Sequence, residues 1–332
     1  MNAPLERLPV KARSPLPPYT KGWYCVAESN EIAIDKMLPV SYLGNQFVVY
    51  RTPDGVAHVA DAFCPHLGAH VASHDGKMEN GEIVCPFHKW RFSGETGLCQ
   101  SVPYSEKPAG KVGLTVYPTR EVSGMVLMYF DIEGGSADDL PPFKVDFLND
   151  GEWILDLDKS WTIYAHPQEF LENIFDPAHL TQLHTGTVIP EYESIVENES
   201  GIVVTLNFGK AQEFPVENIV VEYGALTTAV QYTYGTNFTV NSLTSFTPID
   251  EERTFQRTRV YVKKTDNPEI DKMIGAAYSA RLVMEIEQDL KVLDYKKHVV
   301  NPKLCLGDGP IYQFRRYAQK FYPSKSAAIA AE

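Results

Sequence analysis

The sequence predicts an α+β fold in two parts: an all-β domain, then an antiparallel sheet backed by helices. Three observations carry that. The chain has 332 residues, and at about 150 residues per domain there is room for two. From Gly22 to about residue 132, short runs rich in Val, Ile, Tyr and Phe alternate with turn signals. Beyond residue 150 the strands lengthen and two helical patterns interrupt them.

Residues 1–18 hold Pro4, Pro9, Pro15, Pro17 and Pro18 among several charges, which predicts an extended arm with no core of its own. Residues 19–132 make the all-β domain, in strand-and-turn units such as QFVVYRTPDG, KWRFSGETG and MVLMYFDIEGG. Residues 133–150 lose periodicity and read as a linker, 151–325 form the second domain, and 326–332 are a tail. Within the second domain a helical stretch covers about 167–183. Strands are expected at 202–208, 218–224, 227–235, 237–247 and 254–264. A long helix at about 268–297 places Ile270, Met273, Ile274, Ala277, Leu282 and Ile286 near helical spacing.

Charge and composition narrow the function. Lys and Arg total 30 against 43 for Asp and Glu, a net charge of −13. Nucleic acid and anionic membranes need a basic face, so neither is the expected partner. The longest apolar run, Gly124 to Phe130, is far short of the ~20 residues of a membrane helix. The first residues, MNAPLERLPVKAR, contain no apolar h-region. Five cysteines spread over a long chain argue against a disulfide scaffold. The expectation is a cytoplasmic protein whose cysteines are free or metal-bound.

Two constellations carry chemistry. The first is Cys64-Pro65-His66 with Cys85-Pro86-Phe87-His88, a C-x-H…C-x-x-H pattern inside the β domain. Two thiolates and two imidazoles suit zinc, a blue-copper-like metal or one type of iron–sulfur centre. Each half is a short loop between strands, and no helix supplies the paired histidines of a finger. Cys25, Cys99 and Cys305 lack ligand spacing and read as small buried apolar residues. His58, His70, His74, His166 and His298 read as ordinary core or surface histidines.

The second runs from Glu172 to His184, ENIFDPAHLTQLH. His179 and His184 are five apart, about 140° around an ideal helix, so they can share a metal only if the helix ends or bulges between them. A third donor must come from far along the chain. The long C-terminal helix offers Glu285, Glu287, Asp289 and Asp294. No strand is followed by a G-x-G-x-x-G that opens a helix, so no dinucleotide site is expected.

Both constellations resemble those of the Rieske non-haem iron oxygenases. The first resembles the Rieske [2Fe–2S] domain, which implies Cys64 and Cys85 on one iron and His66 and His88 on the other. Imidazole in place of thiolate makes the cluster less negative and raises its potential. Lys89 stands where the family's Cys-Pro-x-His-Gly-Trp loop has Gly, and the gap between the halves is slightly long. The second resembles the mononuclear iron motif E-N-x-x-(G)-D-x-x-H-x-x-x-x-H. That implies His179 and His184 as two legs of a 2-His-1-carboxylate triad on Fe(II). Glu287-Gln288-Asp289 matches the family's E-Q-D, which makes Asp289 the third ligand and Glu285 the fallback. Asp176 is implied as a carboxylate bridging His88 of one subunit to His179 of the next.

The closing stretches Asn301-Pro302-Lys303-Leu304, Gly307 to Ile311 and Phe314-Arg315-Arg316-Tyr317 resemble the subgroup of ketosteroid hydroxylases, cholesterol 7-desaturases and some alkaloid hydroxylases. The resemblance implies an N-terminal Rieske domain, a catalytic mononuclear iron domain and the terminal oxygenase role in a multicomponent monooxygenase. It also implies a homotrimer and electrons from NAD(P)H through a separate reductase or ferredoxin. The expected substrates are O2 and a bulky, mostly apolar polycyclic molecule such as a steroid. The alternatives are an oxygenase for an aromatic acid or alkaloid, a Rieske electron carrier, or a zinc-stabilised binding module. Tyr232, Tyr234, Phe238, Leu243, Phe246 and Tyr278 are candidate pocket walls, and an acid substrate would need an inward Arg253, Arg257 or Arg259.

Overall fold

The computed structural model describes residues 5–107, 110–209 and 216–324; the expected tail, 326–332, lies outside them. The chain divides into two compact units, Trp23–Phe130 and the remainder.

The first unit carries three small antiparallel sheets. One joins β1 (Gly22–Glu28), β11 (Met125–Phe130) and β10 (Thr119–Val122). The second orders β2 (Met37–Tyr42), β3 (Asn45–Arg51), β4 (Ala57–Asp61) and β9 (Val116–Tyr117). The third orders β5 (Lys77–Glu79), β6 (Glu82–Val84), β7 (Arg91–Ser93) and β8 (Cys99–Ser101). Three hairpins close through X-Gly pairs, Leu43-Gly44, Asn80-Gly81 and Ser123-Gly124, with both residues at positive φ. That backbone matches the twist of paired strands, and glycine adopts it at no steric cost. Phe47, Val48, Val59, Ile83 and Phe92 are completely buried in the unit's interior.

The second unit is a seven-stranded antiparallel sheet in the order β12 (Trp153–Ile163), β18 (Thr254–Lys263), β17 (Phe238–Pro248), β16 (Thr228–Gly235), β15 (Val216–Gly224), β14 (Ile202–Asn207), β13 (Glu191–Glu197). The helices are α1 (Val10–Arg13), α2 (Pro167–Leu171), α3 (Ala178–Gln182), α4 (Pro268–Leu293) and α5 (Ile311–Ala318). Asn267 caps α4 by accepting from Glu269 and Ile270 N–H, Pro268 opens it, and Glu269 and Asp271 occupy the positive first turn. The helix packs against β12, β18 and β17. A Cβ at Gly275 would lie 2.5 Å from Asp156 Oδ1, so only glycine permits this approach.

Several expectations are corrected. The N-terminal residues are not a free arm: Val10 and Arg13 are buried, and Arg13 donates to the Leu293, Lys296 and Tyr164 carbonyls at 3.1, 2.8 and 2.5 Å. An arginine holding three orphan carbonyls ties the segment down where its prolines alone would not. The stretch 133–150 buries Phe143 and Val145 and contains short 3-10 turns at Ala137–Asp139 and Asp146–Asn149. The long helix stops at Leu293, not 297. Cys305 is exposed, not buried. Strands β12 and β13 lie outside the expected set; each carries a register shift, at Leu155/Leu157 and Tyr192/Ser194, that breaks strict alternation.

Buried charges brace α2. His298 Nδ1 meets Glu169 Oε1 at 2.5 Å, and Lys296 Nζ meets Glu169 Oε2 at 2.7 Å. Arg315 grips Glu172 in a fork of 2.7 and 2.8 Å. Burial opposes the Glu169 charge, but His298 and Lys296 outweigh it and hold its pKa down at about 2.

His166 caps the same helix: its Nδ1 accepts from Gln168 N–H, and its Nε2 lies 3.1 Å from the Pro17 carbonyl. The ring is therefore neutral, and burial holds its pKa down at about 4. In the unfolded chain it titrates near the ordinary value of about 6.5. The contribution is fully present above about pH 6.5 and is lost as pH falls towards 4, at about 1.4 kcal/mol per pH unit, roughly 3 kcal/mol in all. Denaturation midpoints from pH 7.5 to 4.5 should show this slope. His166→Asn, which caps without titrating, should flatten it; an equally steep profile in that variant would remove His166 as the cause.

Candidate functional site

The two halves of the first constellation are hairpin loops with one hydrogen-bond pattern. In each, the cysteine N–H donates to the carbonyl five residues on, and its carbonyl accepts from the N–H four residues on. The pairs are Cys64 with Ala69 and Gly68 (2.8 and 2.9 Å), and Cys85 with Trp90 and Lys89 (2.9 and 3.1 Å). The fourth position is left-handed in both loops, φ +76° at Gly68 and +56° at Lys89. Lys89 thus adopts the glycine backbone at the price of some strain, and its ammonium meets Asp75 at 2.5 Å.

Cys64 and Cys85 are buried while His66 and His88 reach toward the surface. The imidazole centroids are 4.7 Å apart, and His66 stacks on Trp90 at 4.4 Å. Trp90 is held by its N–H to the Tyr104 hydroxyl, 2.8 Å. Burial, with Cys85 alongside, pushes the Cys64 thiol up to about 11. Two thiolates side by side in this pocket need positive charge between them, which a cluster's irons supply. The donor set fits a mixed Cys/His cluster, with sulfur inside and imidazole outside.

The second constellation is built on a broken helix. A 3-10 turn, Glu172–Phe175, ends at Asp176, and Pro177 begins α3 afresh. The expected helix over 167–183 is therefore two short helices and a 3-10 turn. His179 lies in α3, and His184 lies beyond its last residue, Gln182. Thr185 then turns left-handed (φ +58°) and Gly186 N–H returns to the Leu180 carbonyl at 2.9 Å. The helix end removes the 140° objection: the two rings sit 5.0 Å apart at 80°.

The ligand atoms of His179, His184 and Asp289 lie within 4.8 Å of one another. Asp289 comes from α4 and is buried; its Oδ1 is 3.1 Å from His184 Nε2. Of the other acids on that helix, Glu285 pairs with Arg281 at 2.7 Å and Glu287 with Lys159 at 2.8 Å. The remaining ring nitrogens are taken. His179 Nδ1–H donates to the Asp176 main-chain carbonyl, and His184 Nδ1–H to Gln288 Oε1 at 2.8 Å. Both bonds aim Nε2 at the shared space. Burial opposes a charged His184, but Asp289 and Gln288 outweigh it and raise its pKa. Gln288 is a positioning residue that the sequence reading did not single out; its place between Glu287 and Asp289 was the available signal.

Asp176 stands beside His179. The bond to His179 comes from the main chain, and the half-buried carboxylate makes no hydrogen bond among the described residues.

The three residues face a cavity of about 140 Å³ whose walls include Phe170, Tyr223, Phe246, Gln256 and Ile286. A second cavity of about 170 Å³, lined by Val188, Leu206, Phe208 and Tyr278 among others, shares Ile174, Leu180, Gln231, Leu282 and Glu285 with it. Of the six candidate wall residues, Phe246 and Tyr278 line these spaces; Tyr232, Tyr234, Phe238 and Leu243 do not. Arg253 and Arg257 pair instead with Asp250 and Asp158, at 2.6 and 2.7 Å, and Arg259 lines neither cavity.

Comparison with known proteins agrees over most of the chain. Residues 22–118 match the Rieske [2Fe-2S] domain, and residues 128–322 match the 3-ketosteroid 9alpha-hydroxylase C-terminal domain. A probable 3-ketosteroid-9-alpha-monooxygenase oxygenase component of Rhodococcus rhodochrous is 27% identical over 92% of this chain and 80% of its own length. The cholesterol 7-desaturase of Caenorhabditis elegans is 27% identical over 97% and 82%. Among solved structures, dicamba monooxygenase bound to dicamba superposes with a TM-score of 0.69 at 18% identity, over 90% of this chain and 96% of that one. Pseudomonas putida CBB5 NdmA with caffeine gives 0.72 at 16%, over 90% and 89%. These last two show the fold.

Proposed function

The chain belongs to the Rieske non-haem iron oxygenases, in the group that shares the C-terminal domain of 3-ketosteroid 9alpha-hydroxylase, and from that premise we propose that it is a terminal oxygenase that oxidises a steroid-like substrate. It is an oxidoreductase whose cofactors are a Rieske [2Fe–2S] cluster and a mononuclear iron, and it depends on electron-transfer partners. Cys64, Cys85, His66 and His88 hold the cluster in this reading; His179, His184 and Asp289 hold the iron. When bound, the cluster supplies one-electron relay and the iron supplies open coordination positions for O2.

The convergence of the three donors on a largely apolar, two-lobed cavity carries the proposal. The protein's part is positioning. The Asp176 carbonyl and Gln288 fix the two imidazoles. Ile174, Leu180 and Leu282, with Gln231 and Glu285, form the wall common to both lobes. Among the described residues no Lys or Arg lines the lobe that holds the triad, which disfavours an aromatic acid there. Arg281, in the other lobe, is paired with Glu285.

The reading extends to a homotrimer, a separate NAD(P)H-dependent reductase or ferredoxin, and a cytoplasmic location. None of the five cysteines is in a disulfide, as a reducing compartment requires. Among the described residues no helix is long and apolar enough to cross a membrane. The test couples two measurements. The purified protein should be brown, with about three irons per chain and, once reduced, the EPR signal of a Cys/His cluster. With a reductase and a steroid panel, O2 uptake should match product mass. Stoichiometric zinc without sulfide, or uptake with no oxidised product from any steroid, would defeat the reading.

A further inference from the structure

The face of the sheet that meets α4 is not uniformly apolar. Val260 and Val262 on β18 and Val240 on β17 pack with Tyr278. Farther along the same faces stand Gln256 and Thr258 on β18, Thr244 and Ser242 on β17, and Gln231 on β16. Alternation along each strand puts them on one side. All but Gln231 are buried, and a buried polar group needs a partner.

Most find one. Thr244 and Thr258 hydroxyls meet at 3.0 Å, and Gln231 Nε2 donates to the Tyr278 hydroxyl at 2.8 Å. Gln256 Nε2 donates to Thr258 Oγ1 at 3.4 Å. Gln256 Oε1 has no partner among the described residues, although the residue is 0% exposed and lines the same lobe as His179 and Asp289. An amide oxygen left dry loses free energy that only a ligand or a solvent molecule can return. If Thr258 accepts from Gln256 and donates to Thr244, the Thr244 hydrogen is also available to the cavity.

We propose that Gln256 Oε1, with the Thr244 hydroxyl on the wall of the same lobe, receives a hydroxyl group carried by the substrate. An acceptor beside a donor complements a hydroxyl, which gives one hydrogen and takes another. A ketone offers nothing to Oε1. Thr185 and Thr187, on the wall of the other lobe, are exposed. With its hydroxyl at Gln256, the substrate's apolar body lies along the triad and the shared walls Ile174, Leu180 and Leu282. This deepens the steroid-oxygenase reading and rests on it for the shape of the ligand, not for the hydroxyl.

The test uses the iron-loaded protein and matched ligands with one variable group: 5α-androstan-3β-ol, 5α-androstan-3-one and 5α-androstane, with 2-naphthol and naphthalene as a second pair. Affinity is read by equilibrium dialysis. Wild type should bind the alcohol about tenfold or more tightly than the alkane, and more tightly than the ketone. Gln256→Met, which keeps length and apolar bulk, should abolish that preference, bind the alkane at least as well, and melt no lower than wild type. Thr244→Val should reduce the preference partly, and it serves if the Met variant folds poorly. A preference unchanged in both variants overturns the proposal, as does equal affinity for alcohol and ketone, or no hydroxyl preference in either series. A hydroxyl preference confined to the naphthalene pair and lost in Gln256→Met supports the role of Gln256 while defeating the steroid reading.

Discussion

Asp289→Ala is expected to lose the mononuclear iron, keep the brown colour and turn over nothing. Asp289 is the one anion among the three donors, held on α4 with Oδ1 3.1 Å from His184 Nε2. Without it two neutral imidazoles remain, too weak a set to retain Fe(II) through purification. Iron should fall from about three to about two per chain, because the Cys and His donors of the cluster lie in the other unit. The EPR signal of the reduced cluster should be unchanged. His179→Ala should behave alike. Glu285→Ala is the control: that carboxylate pairs with Arg281 one turn earlier on the helix, so its loss should leave iron in place. Full iron and activity in Asp289→Ala, with both lost in Glu285→Ala, would show that the third ligand was misassigned.

The sequence made Asp289 legible because three kinds of signal agreed there: an acid was required, the helix offered four, and one stood in an E-Q-D run. The five-residue spacing of His179 and His184 was legible only as a problem. Its solution, a helix that ends at Gln182 and a left-handed Thr185, depends on backbone conformations that no periodicity encodes. Pro177 could have signalled the break, since the residue before a proline avoids helical backbone. Strand β12 was missed although Asp156, Asp158 and Ser160 alternate with Leu155, Leu157 and Trp161, with only Lys159 out of pattern; Asp158 is answered across the strand pair by Arg257. Gln256 was silent for another reason. In the run Thr-Phe-Gln-Arg-Thr-Arg a glutamine reads as facing water, and only burial on the inner face reveals it. Polar residues that serve a site look, in sequence, like polar residues that serve solvent.

Asp176→Ala is expected to separate the two metal centres electrically while leaving both occupied. The bridging role implied by the family has a carboxylate accept from His88 of one subunit and from His179 of the next. In this chain the His179 Nδ1–H is already taken by the Asp176 main-chain carbonyl, and the carboxylate is half-buried with no hydrogen bond among the described residues. That division of labour makes the substitution informative. Alanine keeps the carbonyl, so His179 stays oriented and iron content should hold; only the charge and the acceptor oxygens disappear. A carboxylate aimed at His88 of a neighbouring subunit would accept its ring N–H and steady that imidazole. Its removal should slow electron passage roughly 100-fold. Asp176→Asn should be almost as slow, because its NH2 group cannot accept. The measurement is rapid mixing of cluster-reduced protein with substrate and O2, following the return of the oxidised absorbance beside product formation. If Asp176→Ala reoxidises at the wild-type rate with product formed, electrons do not need this carboxylate, and the homotrimer loses its main chemical rationale. If iron is lost as well, the main-chain bond was not what held His179, and Asp176 belongs with the residues that build the site.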